Sequence, residues 1–503
     1  MSFSLPFDLH VPPPRTAMMA AAGAIVAAAL LRRLCRARSA PSVASSVEAQ
    51  RVAEAVSASA ASWPDGAAFV DEEAFVANVD AMIDAVASGD QPKRVRVATK
   101  SVRSVDLLRA MIDRCQAFDS RRPSGCNGDG ASFAGLMCFT AEEAVMVARH
   151  PRLGPVAKHI LVAYPITSAA TAAKLARWHV ERHARPGEAT TVPAVACVVD
   201  CVSHVRWIAE AVQAIAERQG DRTPPAFPIW IDVDMSMRVA SLHLGVRRSP
   251  IRTLSDAAAL LAVVSELRSF VAVEGVMGYE AQIAGLPDTP DIMPRGIRDT
   301  GVTAWGRSLF KKASIRECHQ RRGLFARELA ALLPGSILVN GGGSGSLSST
   351  CADPSVTEVT IGSGALCGHL FSRYSNSGVA GHYRPALHFA LRVSRIPAPG
   401  VVTCLGGGWV ASGASGEDRL PLPVFPAGAT LLSVEGAGEV QTPVALPPSS
   451  ALHIGDPVVF RPSKSGELAE IVSHYNVLHH ATGPGLLPDT VLTYRGEGIH
   501  AWS

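Results

Sequence analysis

What this chain of 503 residues lacks already narrows its function. It lacks net charge: 47 Lys+Arg oppose 44 Asp+Glu, a balance of +3, and no Lys/Arg cluster lies beyond the first 40 residues. Nucleic acid would find no electrostatic footprint, so no nucleic-acid partner is expected. Closely spaced cysteines are missing too. Of the ten, only Cys197 and Cys201 are near neighbours, which excludes a zinc pattern or a small disulfide framework and leaves reduced, partly buried thiols. Disorder is excluded by 48% apolar against 18% charged residues. The length suffices for roughly two to four domains, or one large barrel with a smaller companion.

A full-length apolar run is also missing. Residues 16–31 carry no charge but fall short of the ~20 residues that span a bilayer. Arg32, Arg33, Arg36 and Arg38 follow at once, and Asp8 is the only acid before Glu48. Residues 1–50 therefore read as a signal-anchor held by the following positive cluster, or as an Arg-rich, acid-poor organellar presequence. The expected location is mitochondrial or membrane-anchored facing the cytosol, and otherwise cytoplasmic.

What is present is a regular alternation. Short β-branched runs at 94–98, 136–139, 160–163, 194–199, 229–233, 271–276, 337–339 and 358–361 read as strands. Stretches of helical spacing, such as 104–115, 141–149, 168–179, 202–217 and 255–269, separate most of them. Eight strand–helix units predict a parallel α/β fold closed into a (β/α)8 TIM barrel over residues 51–383. After about Tyr383 glycine and proline become frequent and short alternating runs take over, which predicts a C-terminal antiparallel β domain over 384–503.

Three groups at predicted strand ends could carry chemistry, because barrel active sites are built on that face. Lys100 ends the first strand; it is either a solvated loop lysine or a Schiff-base amine whose pKa cationic neighbours lower. Residues 340–346 (NGGGSGS) follow the seventh strand, and Gly362-Ser363-Gly364 follows the eighth. They are glycine-rich turns or the two halves of a phosphate cradle, the place where barrels commonly bind phosphate. The loop is not a P-loop, lacking Gly-Lys-Ser/Thr, and does not fit GxGxxG, so a nucleotide-dependent oxidoreductase is not expected. Around the middle strands stand Asp232, Asp234 and Arg238, then Tyr279, Glu280 and Gln282; singly each is an ordinary rim residue, but strand ends of one barrel converge on one pocket.

Taken together, residues 94–103 (RVRVATKSVR), 279–285 (YEAQIAG), 339–346 (VNGGGSGS), 357–364 (TEVTIGSG) and 493–498 (TYRGEG) resemble the fold-type III, alanine racemase-like pyridoxal phosphate (PLP) enzymes. The similarity is greatest to the D-threonine aldolase and D-serine dehydratase-like branch, often labelled amino acid deaminase/aldolase, and runs from about Phe69 to Gly498. It implies that Lys100 forms the internal aldimine with pyridoxal 5'-phosphate. It implies also that Gly342, Gly343, Ser344 and Gly345, with Gly362 and Ser363, hold the phosphate, and that Arg238 and Tyr279 lie near the ring or substrate, Tyr279 as a catalytic residue. Metal-dependent members carry a His-x-Asp or His-x-Cys pair near the end of the β domain. The corresponding residues here are Thr490, Val491 and Leu492, and His474, His479 and His480 upstream show no recognised spacing, which leaves a divalent metal in doubt.

The resemblance thus implies a PLP-dependent lyase acting on a small D-amino acid with a β-hydroxyl, such as D-threonine or D-serine. Two alternatives stand beside it: an amino-acid racemase, which needs an acid/base group on each face of the substrate, and a non-catalytic PLP-binding protein. Family members are often dimers, so a homodimer is the expectation.

Overall fold

In the computed structural model, the described residues are 47–499 apart from 59–62, 64, 89–90, 92, 121–132, 185–191, 220–223, 240–241, 286–300, 334, 374–382 and 480–484. They fall within one compact unit, Ser45–Ser503. The apolar run at 16–31 and His480 lie outside the described residues. Among those described, no helix is long and apolar enough to cross a membrane.

The chain opens with a helix, Val47–Ala58, and a strand, β1 (Gly66–Asp71). Barrel strands then follow as β2 (Arg94–Ala98), β3 (Phe133–Cys138), β4 (His159–Val162), β5 (Ala194–Val199) and β6 (Phe227–Asp232). A small hairpin, β7 (Met237–Val239) and β8 (Leu242–Leu244), interrupts the series before β9 (Val271–Gly278), β10 (Leu338–Gly341) and β11 (Glu358–Ile361) complete it. The closed order is β2-β3-β4-β5-β6-β9-β10-β11, every pairing parallel, with β11 returning to β2 at Ile361↔Val97. All eight strands predicted from β-branched runs are present, so the fold is the expected eight-stranded α/β barrel. Helices such as Val105–Ser120, Ala141–Arg149 and Val202–Gln219 cover its outside. Their start signals are local: Thr140 accepts the Glu143 amide at 3.1 Å, and Thr253 with Asp256 forms a capping box.

A second, mostly antiparallel sheet follows from β12 (Leu387–Ala398), β13 (Val401–Leu405), β14 (Leu422–Phe425), β15 (Thr430–Leu431), β16 (Gln441–Ala445), β17 (Pro457–Arg461), β18 (His474–Leu478) and β19 (Thr490–Leu492). Its order is β15-β16-β13-β12-β1-β18-β19, with β17 pairing β12 and β14. The first strand of the described chain thus belongs to this sheet and not to the barrel: β1 runs antiparallel to β12 and parallel to β18. Ala49, Val52, Ala53 and Val56 of the first helix bury themselves against Phe69, Ala390, Val424 and Val459 of the sheet.

Inside the barrel an apolar layer of Leu161, Ala163, Ala196, Val198, Trp230 and Met277 neighbours a polar one. Arg96, buried on β2, donates from Nε (2.5 Å) and Nη2 (2.9 Å) to both carboxylate oxygens of Glu358 on β11, a fork-to-fork geometry. Its Nη1 reaches the Leu136 carbonyl and His159 Nδ1, each at 3.0 Å. Arginine can only donate, so Nδ1 accepts and the ring's Nε2–H faces Glu274 Oε2 at 3.0 Å. The Trp230 indole donates to the same oxygen at 2.7 Å. Burial alone would raise the Glu274 pKa, but these bonds, with the Arg96 charge, outweigh it and hold the carboxyl down at about 2.

Glu358→Gln would leave Arg96 buried without its counter-charge, so a loss of about 3–5 kcal/mol is expected in urea unfolding. Because Glu274 titrates lower folded than unfolded, its contribution is complete above its ordinary 4.5 and lost as pH falls toward about 2. Unfolding midpoints of Glu274→Gln should therefore fall less steeply than those of the unsubstituted chain across that interval.

Candidate active site

The β2 strand ends in a single 3-10 turn, Thr99–Ser101, that carries Lys100. Thr99 Oγ1 anchors the turn to the Met137 carbonyl at 3.1 Å. Two loops of the second sheet close over it. Ser465 Oγ donates to the Ser101 carbonyl at 2.9 Å, and a Cβ on Gly466 would stand 2.2 Å from the Lys100 carbonyl oxygen. The Tyr494 amide donates to the Arg103 carbonyl at 2.8 Å. Solvent reaches the Lys100 side chain through the barrel mouth, yet protein walls its other sides. Loss of hydration is the largest cause of its lowered pKa, followed by the positive charges of Arg248, Lys464 and Arg103, with Glu467 opposing.

Arg248 belongs to the same mouth. It donates to Asp232 Oδ2 and to the Ala163 carbonyl, both at 2.6 Å, and its guanidinium lies 5.1 Å from the Tyr164 ring centroid. Asp232, at the end of β6, is fully buried; desolvation pushes its carboxyl up to about 6 against the pull of Arg248. Its Oδ1 has no hydrogen-bond partner among the described residues.

The glycine loop after β10 is built on a buried carboxylate. Glu280 accepts from the Gly342 amide (3.3 Å), Ser346 Oγ (2.8 Å) and Thr350 Oγ1 (2.5 Å), and pairs with Arg322. Arg322 in turn donates to Asp353 Oδ2 at 3.0 Å, so the charge under the loop is balanced. Gly342 needs its positive φ of 87° here, and a Cβ on Gly345 would meet the Ala284 carbonyl oxygen at 2.2 Å. The Gly342 amide and Ser346 hydroxyl are thereby occupied. The amides of Gly343, Ser344 and Gly345 donate to no partner among the described residues.

The loop after β11 joins this cradle. The Gly364 amide donates to Ser344 Oγ at 2.8 Å, and a Cβ on Gly362 would stand 3.1 Å from the Ala98 carbonyl oxygen and 3.6 Å from Ser101 Cβ, on either side of Lys100. Ser363 is half-buried beside it. The half-buried Tyr279 reaches the loop, its Cε2 3.4 Å from a Gly343 Cβ position. Tyr383, buried, brings Cζ to 3.0 Å from the Gly364 Cβ position, and its hydroxyl has no partner among the described residues. Lys100's turn, Tyr279, residues 342–345 and residues 362–363 are therefore assembled in one place.

Arg238 stands apart. It lies on the β7–β8 hairpin, exposed, bonded to Asp234 Oδ2 at 3.1 Å, and makes no hydrogen bond to the lysine turn or either glycine loop. His479 is taken up by Glu72 Oε2 (3.1 Å) and Asp489 Oδ1 (2.9 Å). Sequence reasoning missed Arg248 and Tyr383. Arg248 follows a hairpin 16 residues after its partner Asp232, and Tyr383 lies where helical periodicity stops, so neither stood next to a strand-end signal.

No protein-family model matches the chain, and no curated protein is similar to it in sequence. Solved structures are. D-threonine aldolase from Filomicrobium marinum superposes at a TM-score of 0.63 with 17% identity, over 86% of this chain and 95% of that one. The chain has the alanine racemase-like fold. D-threo-3-hydroxyaspartate dehydratase from a Delftia species matches at 0.54 and 18% identity, over 85% and 96%. An alanine racemase-like protein from Idiomarina loihiensis matches at 0.52 and 14%, over 85% and 96%.

The Arg248 charge is one cause of the depressed Lys100 pKa, and its removal also leaves the buried Asp232 carboxylate unopposed. Arg248→Leu should therefore move the pH midpoint for chemical labelling of Lys100 upward, as read by peptide mapping across a pH series. Gly345→Ala, which must displace the 281–284 turn, should cost about 1–3 kcal/mol in urea unfolding.

Proposed function

We propose that this chain is a PLP-dependent lyase acting on a small D-amino acid with a β-hydroxyl, of the D-threonine aldolase or D-serine dehydratase type. The observation that carries the reading is the meeting of a lysine amine of lowered pKa with two glycine loops whose free amides face a buried, unpartnered tyrosine hydroxyl. The fold shared with solved structures named as an aldolase and a dehydratase supports the reaction class.

The residues present fit pyridoxal 5'-phosphate. Lys100 would hold its aldehyde carbon, and the amides of Gly343, Ser344 and Gly345, with Gly362, Ser363 and the Tyr383 hydroxyl, would hold its phosphate. When bound, the cofactor supplies an electron sink for negative charge developing at the substrate Cα. The chain supplies the rest. Lys100, kept partly neutral by Arg248, Lys464 and Arg103, can take or return a proton at Cα. Tyr279, with its ring edge against Gly343, orients what the loop holds. Arg248, fixed by Asp232 and the Ala163 carbonyl, keeps a positive charge at the mouth for a substrate carboxylate.

The test is the visible spectrum of purified protein before and after borohydride, followed by assays on D-threonine and D-serine. A band lost on reduction and absent in Lys100→Ala is expected, together with release of aldehyde, or of ammonia and a 2-oxo acid. Lys100→Ala should lower kcat/KM by roughly 10²–10⁴-fold or more. Loss of optical rotation without those products would make the chain a racemase instead, and a band without any turnover would make it a binding protein.

A further inference from the structure

We propose that Asp200, Cys201 and His204 form a binding site for a zinc-like divalent transition metal ion at the mouth of the barrel. The inference rests on these three side chains and not on the proposed reaction. Asp200 is the residue directly after β5, Cys201 follows it, and His204 lies in the first turn of helix Val202–Gln219. Their donor atoms, a carboxylate oxygen, a thiol sulfur and an imidazole nitrogen, all lie within 4.8 Å of one another.

The spacing is that of a coordination sphere. Oxygen and nitrogen ligands about 2.0–2.1 Å from a tetrahedral zinc ion stand roughly 3.3 Å apart. Asp200 Oδ1 and His204 Nδ1 are 3.1 Å apart. With zinc–sulfur bonds near 2.3 Å, the sulfur would stand roughly 3.6 Å from each of the others. From 4.8 Å or less, Cys201 therefore needs only a modest side-chain rotation.

The hydrogen bonding points the same way. His204 Nδ1 receives the Asp200 amide N–H at 3.4 Å and so presents its lone pair. A carboxylate oxygen beside that same nitrogen sets two acceptors against each other, a contact that a cation relieves. Trp207, its ring 6.1 Å from that of His204, flanks the imidazole. All three ligands are partly open to solvent, so three protein donors leave a fourth position free for water or a small ligand. Thiolate and imidazole favour zinc-class ions, whereas calcium and magnesium prefer oxygen donors. The site neighbours the catalytic mouth electrostatically: the Asp200 charge raises the pKa of Asp232, which holds Arg248.

Sequence spacing hid this group, because only one of its three ligands is a cysteine and the scattered thiols show no zinc pattern. An i,i+4 Asp–His ion pair at a helix start explains Asp200 and His204 but gives no role to the Cys201 sulfur beside them.

The experiment uses the full chain, stripped with a chelator, reloaded with zinc chloride, gel-filtered and assayed for zinc per chain. One equivalent is expected. Cys201→Ser and His204→Ala, each checked for unchanged circular dichroism, should weaken binding by more than the roughly 10–100-fold that loss of an outer-shell partner costs. Zinc, and not magnesium, should also protect Cys201 from alkylation, as read by peptide mapping. No retained zinc, equal retention in both variants, or alkylation of Cys201 unaffected by zinc would each overturn the proposal. None of these readouts depends on pyridoxal phosphate or on turnover, so they leave the proposed lyase reaction to its own test.

Discussion

The barrel closes where its last strand meets its first, and a buried ion pair pins that seam. Arg96 on β2 and Glu358 on β11 face each other across it with two parallel hydrogen bonds. Lys100 stands four residues beyond Arg96, and Gly362 four beyond Glu358, so both halves of the candidate site issue from the same joint. A Cβ on Gly362 would already press on Ala98. The lysine and the loop opposite it can approach this closely only because the two strands beneath them are locked in register. Buried ion pairs are poor sources of net stability, since desolvation offsets much of their attraction. Their value here is geometric: a bidentate arginine fixes one relative height of the two strands, and slippage along the seam would unpair both charges.

Above that joint the second sheet acts as a clamp. Ser465, Gly466 and Tyr494 contact the backbone of residues 100–103 rather than the lysine side chain. They hold the turn while leaving the amine open to the mouth. Lys464 adds charge from the same loop, so the sheet contributes both position and electrostatics. On the far side, Glu280 organises the glycine loop from below by occupying the Gly342 amide and the Ser346 hydroxyl. Amides higher in the loop are left without protein partners. A buried carboxylate under an anion cradle would repel its ligand were Arg322 not paired with it.

Much of this was legible in the sequence. Eight β-branched runs separated by helical stretches specify a parallel barrel, because strands buried on both faces must be apolar throughout. Lys100 and the two glycine loops were legible because they directly follow strands. What could not be read has a common cause. Arg248 and Tyr383 are set by long loops, and nothing in local spacing says where a loop returns. β1 is too short to reveal which of two sheets it joins; only its pairing with β12 and β18, more than 300 residues later, decides that. Arg238 misled because proximity in sequence to a strand end did not carry its side chain to the lysine.

That pairing of β1 bears on how the chain is made. Its neighbours in the sheet lie at residues 387–391 and 476–478, so β1 leaves the ribosome long before either exists. The barrel can be synthesised whole while β1 and the helix before it still expose Phe69, Val52 and Val56, which the finished sheet buries. Such a late, non-local closure is slow by topology and leaves an unpaired strand edge exposed meanwhile. The completed enzyme-like core is therefore assembled from the outside in. The two ends of the chain must find each other last, and only their meeting places the clamp over Lys100.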